Sequence, residues 1–312
     1  MLYFTESDVR RLVPMTDAVR LMREAFSRLA SGQAQNHPRR RLVLPSQSVL
    51  HYMVAGNDRY FGSKVYSTHP KHGAHFFFLL FRAEDARPLA IFEANYLGQI
   101  RTGAASGLAT DLLARPDSAS VAIVGSGFQA RSQLEAIRAV RNIAIVRVYS
   151  RSPEKRIAFA AECSAEAVDH AEQAVRGADI IVTATNSRDP VLNSEWVSGG
   201  VHINAVGSNQ ARRRELPSEL IARAGRVVVD SIEQSRMESG DLLLSWGHGE
   251  WHDSRLIELK DVLAGGRTAR SPEEITIFKS NGLALEDVAA AGFVYERGLE
   301  AGTGHSMAPL YS

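Results

Sequence analysis

The sequence predicts an α/β protein with a central, doubly wound parallel sheet of the Rossmann type and a separate α+β domain. Three observations predict this fold. Strand-like and helical segments alternate through the middle of the chain, which is the βαβ pattern of a parallel sheet. A glycine-rich turn, Gly125-Ser-Gly-Phe-Gln-Ala130, follows the first of these strands and precedes a helical run. Before it, short β-type runs are separated by Gly, Asn, Asp and Pro, which is typical of an antiparallel meander.

The first domain is predicted to combine one helix with this meander. A helix-start signal at Thr5–Asp8 is followed by apolar residues at helical spacing up to Gly32. Beyond Arg41 the β-type runs cover residues 50–54, 60–66, 75–81 and 89–93. The segment 102–110 is rich in Gly, Ala and Ser, a composition that lets a helix approach another backbone closely. A break at Arg115-Pro116 ends this part, so we place the first domain at residues 1–116.

The Rossmann domain is placed at residues 117–285. Its strand-like segments are Ser120–Val124, Ala144–Tyr149, Asp179–Thr183, Val201–Ala205 and Arg226–Asp230. From Ile275 to Gly302 the pattern is largely helical, and we expect residues 286–312 to form a C-terminal helix that returns to the first domain.

The glycine-rich turn has the setting that dinucleotide binding requires, directly between a strand and a helix. Gly125 permits the tight turn, Gly127 lets the backbone approach a pyrophosphate, and Ala130 keeps the helix close to the sheet. Ligands of such folds lie beyond the carboxyl ends of the strands, so the segments 183–186 and 204–208 should flank the ribose and nicotinamide. The alternative is a glycine-rich turn without a ligand. The candidate cofactor-binding residues are Thr102, Gly125, Ser126, Gly127, Phe128, Gln129, Ser150, Arg151, Ser152, Thr185, Val206 and Ser280.

The end of the second Rossmann strand favours NADP(H) over NAD(H), although NAD(H) stays possible. NAD-selective sites usually have Asp or Glu here, which accepts hydrogen bonds from the ribose hydroxyls. This chain has Tyr149-Ser150-Arg151-Ser152 instead. A guanidinium with two hydroxyls suits a 2′-phosphate, which arginine can bind through two parallel hydrogen bonds. The alternative is that Arg151 lies on a solvated face.

Composition and charge exclude several other classes of function. The formal charge is 36 − 35 = +1, so no overall field favours nucleic acid or an anionic membrane. No apolar run is long enough to span a bilayer, and the N-terminus does not have the pattern of a signal peptide. One cysteine cannot form an intramolecular disulfide, so we expect a cytoplasmic protein. His69, His72 and His75 recur every third residue, but Pro70 and Gly73 interrupt them; we expect no metal site.

Several segments together resemble the ornithine cyclodeaminase/μ-crystallin family, and the likeness extends over essentially the whole chain. They are Gly62-Ser-Lys64-Val, Leu97-Gly-Gln-Ile-Arg101-Thr-Gly-Ala-Ala-Ser-Gly-Leu-Ala109, the Gly125–Ala130 turn, Asn204-Ala-Val-Gly-Ser-Asn209 and Ile277-Phe-Lys-Ser-Asn-Gly-Leu-Ala-Leu-Glu-Asp287. The resemblance implies a homodimer with a central Rossmann domain and a discontinuous domain, built from both chain ends, for substrate binding and dimerisation. It also implies a small substrate with a carboxylate beside an amine or imine carbon, to or from which hydride moves.

Residues with suitable chemistry occupy the matching positions. A substrate carboxylate needs a cation that donates two parallel hydrogen bonds, which arginine supplies. Arg39 and Arg41 are the candidates from the first domain, on one face of a strand with Arg40 opposite, and Arg39 is preferred. Lys64 can hold a carboxylate, or exchange a proton with an amine once burial lowers its pKa. Arg101 can hold the carboxylate near the nicotinamide, so Lys64 and Arg101 are the candidate catalytic residues.

Two positions depart from the family pattern. Cyclodeaminases place an aspartate that serves as a proton shuttle where this chain has Asn209, a candidate substrate contact that cannot act as a base. Gly98 stands where many members have threonine. We therefore expect an NAD(P)H-dependent ketimine reductase or amino-acid dehydrogenase, such as an alanine dehydrogenase. The alternatives are an ornithine or lysine cyclodeaminase that recycles its cofactor, and a crystallin-like protein that binds NADP(H) with little catalysis.

Overall fold

The computed structural model describes residues 1–249, 251–265 and 271–307. Its helices are α1 (Glu6–Leu12), α2 (Met15–Ala30), α3 (Asn95–Leu113), α4 (Phe128–Val140), α5 (Pro153–Cys163), α6 (Ala171–Val175), α7 (Ser218–Arg223), α8 (Ile232–Glu238), α9 (Gly240–Trp246), α10 (Leu259–Leu263) and α11 (Ala284–Glu300), with a short 3-10 helix at Ser194–Trp196. Its strands are β1 (Leu2–Phe4), β2 (Ala34–Val43), β3 (Val49–Asn57), β4 (Tyr60–His69), β5 (Gly73–Arg82), β6 (Pro88–Glu93), β7 (Ser120–Val124), β8 (Ile145–Tyr149), β9 (Glu166–Ala167), β10 (Ile180–Thr183), β11 (His202–Ala205), β12 (Arg226–Val229), β13 (Leu256–Glu258), β14 (Thr276–Lys279) and β15 (His305–Ser306). No helix within these residues has the length and apolar character needed to cross a membrane.

The first compact unit consists of residues 1–101 and the segment from Gly282 onward. Its sheet has the order β15-β1-β6-β5-β4-β3-β2, and β2 to β6 pair as the predicted antiparallel meander. Alternate residues of β3 and β4 are buried, because helix α11 packs against β2 to β5. Helix α1 begins where the sequence predicts: Thr5 is its N-cap, and Asp8 completes a capping box. The single helix predicted up to Gly32 is wrong, because α1 ends before Pro14 and a second helix, α2, begins after it.

The second compact unit, Thr102–Asn281, contains a parallel sheet of order β13-β12-β14-β11-β10-β7-β8-β9. Five of its strands are almost entirely buried, as expected for a parallel sheet with both faces covered: β7, β10, β11, β12 and β14. The glycine-rich turn follows β7 in the middle of this sheet, and α4 follows the turn. The predicted α/β fold with a central Rossmann sheet is confirmed.

The boundaries of the units differ from those we predicted at 116/117 and 285/286. The structure divides the chain between Arg101 and Thr102, and between Asn281 and Gly282. The reason lies in helix α3, whose later residues pack within the second unit: Gln133 donates to the Thr102 carbonyl (3.3 Å), and Asn204 donates to Thr110 Oγ1 (2.9 Å). Of the C-terminal segment predicted at 286–312, residues 308–312 lie outside the described part of the chain.

The largely helical pattern predicted from Ile275 is wrong for its first residues. Thr276–Lys279 form β14, which is fully buried between β11 and β12. A strand of four residues is too short to show a period of its own, and the long helix α11 that follows dominates the pattern. Strands β1 and β15, with three and two residues, were also missed because they are too short to show a period.

Candidate functional site

A buried lysine lies at the centre of the first unit's candidate site. Lys64 is on the face of β4 that is turned toward α11, and it is only 3% exposed. Its Nζ donates a hydrogen bond of 2.8 Å to Asp287 Oδ1. An isolated ammonium at such a position would be very unfavourable, so this carboxylate is needed to stabilise the charged form.

The carboxylate belongs to an acidic pair in the first turn of α11. Glu286 and Asp287 are both buried, and the helix N-terminus is the end at which negative charge is stabilised. Arg101 Nη1 donates to Glu286 Oε2 (2.7 Å), and Arg101 Nε lies 3.4 Å from Asp287 Oδ1. The structure thus brings the two predicted catalytic residues, Lys64 and Arg101, onto neighbouring carboxylates of one helix.

Burial lowers the pKa of Lys64 to about 8, because removal from water disfavours its charged form. Asp287 raises this pKa, whereas the positive charges of Arg101 and Arg39 lower it. A lysine with such a pKa exchanges protons near neutral pH, which is the property required of a general acid or base.

The two arginines of β2 have different environments. Arg39 is 4% exposed and contributes to the pKa of Lys64, whereas Arg41 is exposed. A β-bulge between His37 and Arg40 interrupts the regular alternation of this strand. Arg39 is therefore the arginine that the structure brings into the electrostatic field of Lys64.

The absence of a side chain at Gly98 leaves room for the lysine. A Cβ atom at this position of α3 would lie only 2.7 Å from Lys64 Nζ. Glycine replaces the threonine of many family members at this position, and the Lys64 ammonium occupies space that a side chain at residue 98 would take.

The glycine-rich turn of the second unit fits a dinucleotide. Gly125 has φ +108°, and a Cβ there would lie 2.4 Å from the Ala184 carbonyl oxygen, so this turn requires glycine. Gly127 has an ordinary extended backbone, and a Cβ there would meet open space. Gln129 Oε1 is buried and has no hydrogen-bond partner among the described residues. The open space at Gly127 is what a bound pyrophosphate would occupy.

The segment after β8 contains the residues that we predicted to favour NADP(H) over NAD(H). Ser126 Oγ donates to Ser150 Oγ (2.8 Å), which joins the glycine-rich turn to the end of this strand. The Ser152 hydroxyl accepts from Lys155 N and caps α5. Arg151 is exposed and makes no hydrogen bond or ion pair with the other described residues. Its guanidinium is thus available to a ligand.

A buried carboxylate that we did not predict joins the ends of β10 and β11. Glu215 Oε1 accepts from Thr185 N (2.6 Å), and Oε2 accepts from Gly207 N (2.7 Å) and Thr183 Oγ1 (2.9 Å). Burial raises the pKa of Glu215, and the neighbouring Asp241 raises it further. These bonds fix the two loops that the sequence predicts to flank the nicotinamide.

Two further buried charges, Asp241 and Lys279, hold Glu215 and the loop after β11 in position. Asp241 accepts from the Glu215 amide (2.7 Å) and pairs with Lys279 Nζ (3.1 Å). Lys279 in turn donates to the Ser208 carbonyl (2.6 Å). The loops therefore rest on a chain of buried charges rather than on apolar packing alone.

The remaining predicted residues of the second unit lie in four places. Phe128 is the first residue of α4 and is exposed. Val206 and the half-buried Asn209 follow β11, and Thr102 is the first residue of the unit in α3. Ser280 follows β14 and donates to Asp230 Oδ2 (3.1 Å).

Sequence reasoning missed Glu286, Asp287 and Glu215 as site residues. For the first two a signal was present, because adjacent acids open a helix whose other residues are mostly apolar. Glu215 follows three arginines in a loop, and nothing in that pattern indicates a buried carboxylate. Among the described residues, no group of three side chains suited to a metal ion occurs.

A Rossmann sheet with a dinucleotide turn, together with a buried lysine between carboxylates and arginines, defines a nicotinamide-dependent oxidoreductase. Residues 2–302 match the ornithine cyclodeaminase/mu-crystallin family, and the chain belongs to this family. The resemblance inferred from the sequence is confirmed.

Relatives with assigned activities extend over most of the chain. The chain is 44% identical over 232 residues to a Delta(1)-pyrroline-2-carboxylate reductase of Bacillus cereus, covering 72% of this chain and 71% of that protein. The structure is similar to that of the Thermococcus litoralis Delta(1)-pyrroline-2-carboxylate reductase in complex with NADH and L-proline, with a TM-score of 0.92, 34% identity and coverage of 98% and 100%. It is also similar to an archaeal alanine dehydrogenase dimer with bound NAD, with a TM-score of 0.92, 36% identity and coverage of 99% of each chain.

Proposed function

We propose that the protein reduces an α-imino carboxylate with NADPH and catalyses the reverse oxidation of the corresponding α-amino acid. The observation that carries this proposal is Lys64, a buried lysine with a pKa of about 8 that is bonded to Asp287 and lies in the field of Arg101 and Arg39. This combination supplies a proton at neutral pH beside cations that can bind a carboxylate.

The cations of the site favour a carboxylate as ligand. Lys64 and Arg101 are bonded to Asp287 and Glu286, and Arg39 lies in the electrostatic field of Lys64. Arginine binds a carboxylate through two parallel hydrogen bonds.

In the reductive direction, Arg39 and Arg101 orient the carboxylate, and protonated Lys64 donates a proton from Nζ to the imine nitrogen. Asp287 holds the lysine in position and favours its charged form. The nicotinamide, when bound, supplies the hydride that the imine carbon accepts. In the oxidative direction neutral Lys64 accepts the proton from the amine.

The choice of NADP(H) rests on Arg151. Its exposed guanidinium, beside Ser150 and with no acidic residue at the end of β8, suits a 2′-phosphate. Arg151→Ala should weaken NADPH binding by about 10-fold or more, since a hydrogen bond to a charged group contributes roughly 1.5–3 kcal/mol, while NADH binding changes little. Equal effects on both cofactors would contradict the assignment.

We further propose that the protein forms a homodimer through the face of the first unit's sheet opposite Lys64. Tyr52, Val54, Phe61 and Phe77 are all exposed on this face. Val54 and Phe61 also help to line a groove of about 660 Å³. Contiguous exposed apolar surface of this kind marks interaction sites. Light scattering on Val54→Lys should show a monomer if this face is the interface.

Replacement of the lysine tests the catalytic proposal. Lys64→Ala should lower turnover of Δ1-pyrroline-2-carboxylate, and of pyruvate with ammonia, by about 10²–10⁴-fold. NADPH affinity should be unchanged, because the dinucleotide turn lies in the other unit. The exposed Lys71→Ala is the matched control and should retain activity.

The outcomes separate this function from its alternatives. Unaltered turnover in Lys64→Ala would refute the catalytic role. Ammonia release from ornithine or lysine without net oxidation or reduction of the cofactor would identify a cyclodeaminase. Tight NADPH binding without turnover of any imino or amino acid would identify a crystallin-like binding protein.

A further inference from the structure

A row of side chains lies beside Lys64 on the same face of the first unit's sheet. It crosses four strands, because His51 is paired with Arg41 on β2 and with Tyr66 on β4, and Tyr66 is paired with Phe76 on β5. Tyr66 is two residues beyond Lys64 and therefore shares its face, about 7 Å further along the strand. The row thus extends the floor of the candidate site.

Helix α11 runs away from this row. Its first turn contacts Lys64 through Asp287, and Gly292 lies against Tyr60, at the opposite end of β4 from Tyr66. A substrate bound at Lys64 therefore has the helix on one side and the row on the other.

The position of the His51 ring is fixed by two contacts. The ring stacks on Tyr66 with 4.2 Å between centroids and 3° between planes. His51 Nε2 and Thr68 Oγ1 share a hydrogen bond of 2.9 Å. The residue is only 9% exposed, yet its Nδ1 has no hydrogen-bond partner among the described residues. A buried polar atom left unpaired costs about 1–3 kcal/mol, so Nδ1 is a candidate for a hydrogen bond to a bound ligand.

Burial is the main reason that the pKa of His51 falls to about 4, and the charges of Arg41 and Arg39 lower it further. The imidazole is therefore neutral at physiological pH, with one donor and one acceptor nitrogen. The charged neighbours of the ring are cations, so they favour an oxygen atom at Nδ1 and oppose an ammonium group.

We propose that His51 determines specificity by forming a hydrogen bond through Nδ1 to an oxygen atom in the side chain of the substrate. The substrate is then an imino acid whose side chain carries a hydroxyl, carbonyl or carboxylate oxygen. This inference rests on the proposed function, because it assumes that Lys64 and its arginines hold the imino-carboxylate end of the same molecule.

Two pairs of probes that differ by one hydroxyl test the inference: L-alanine with L-serine, and L-proline with cis-4-hydroxy-L-proline. Each is oxidised with NADP⁺, and binding to the NADPH complex is followed by cofactor fluorescence. We expect the wild-type protein to prefer the hydroxylated member of at least one pair by about 10-fold in kcat/KM, the effect of roughly one hydrogen bond.

Two replacements of His51 distinguish substrate contact from a structural role. His51→Asn places a polar atom near the position of Nδ1 but loses the stack, whereas His51→Phe keeps the stack and loses the nitrogen. We expect His51→Asn to keep part of the preference and His51→Phe to abolish it. A purely structural role would give the opposite order. The matched control is His75→Phe at an exposed position of β5, which should leave the preference unchanged.

The inference is overturned if the wild-type protein prefers neither hydroxylated probe, or if His51→Phe retains the preference. In those cases turnover itself still supports the proposed function. Absence of both turnover and binding for all probes would overturn the two together.

Discussion

Asp287 should set the pH range in which the protein is active. Replacing it with asparagine removes the charge 2.8 Å from Lys64 Nζ and keeps the shape of the side chain. At this distance the Coulomb attraction is about 6 kcal/mol for an effective dielectric constant of about 20. That energy is an upper limit of about four pKa units, since one unit corresponds to about 1.4 kcal/mol. Arg101, 3.4 Å from the same carboxylate, offsets part of it.

We therefore expect the pKa of Lys64 to fall in Asp287→Asn from about 8 by at least about one unit. The sign follows from the role of the lysine. Imine reduction needs protonated Lys64, so kcat/KM decreases as pH rises through its pKa. A lower pKa moves this alkaline limb to lower pH. The assay is the pH profile of kcat/KM for reduction, followed by the absorbance of NADPH.

The control is Glu300→Gln on the same helix, at an exposed position remote from Lys64, which should leave the profile in place. Thermal unfolding and NADPH binding verify that each variant is folded. An alkaline limb of Asp287→Asn that stays at the wild-type pH, or moves upward, would refute the electrostatic reasoning.

Four further substitutions test the candidate site and the glycine-rich turn. Gly98→Ala should displace the ammonium of Lys64 and lower kcat on the order of 10²-fold, with unchanged NADPH affinity by fluorescence titration. Glu215→Gln should weaken NADPH binding about 10-fold. The two carboxylate oxygens accept hydrogen bonds from Thr185 N and Gly207 N, and the NH₂ group of glutamine cannot accept one of these bonds, so one loop loses its support. Gly125→Ala should lower the free energy of unfolding by about 1–3 kcal/mol, whereas Gly127→Ala should keep the stability and lose dinucleotide affinity.

Each of these predictions has an outcome that would contradict it. Glu219→Gln, at an exposed position on α7, is the control for Glu215→Gln and should bind NADPH with wild-type affinity. Equal NADPH affinity of the two variants would show that Glu215 does not position the loops for the cofactor. Wild-type affinity in Gly127→Ala would mean that the pyrophosphate does not approach this backbone. A loss of cofactor affinity in Gly98→Ala would show that its effect is not confined to the lysine.

The parallel sheet could be predicted because its information is local. The strands β7, β8, β10, β11 and β12 are apolar runs, and each lies within one residue of its predicted bounds. The glycine-rich turn was also predicted, since only glycine tolerates its positive φ.

The candidate site could be predicted only in part. Lys64 and Arg101 could be predicted because they occupy positions that match the family. Their carboxylate partners could not, because a contact such as that of Lys64 with Asp287, 223 positions away, leaves no periodic signal in the sequence. The strand β14 was missed because its four residues are too few to show a period and the long helix α11 follows it.

The ribosome makes Lys64 long before Asp287, because the two residues lie far apart in the sequence. At about 5–20 residues per second, a ribosome needs roughly 10–45 s to add the 223 positions that divide them. During that interval the nascent meander has no α11 to cover β2 to β5, and its lysine has no counter-ion. The second unit, which is continuous in sequence, is complete before α11 is translated. A chain released before Gly282 would thus lack α11 and leave the sheet of the first unit uncovered, which exposes apolar surface that favours aggregation.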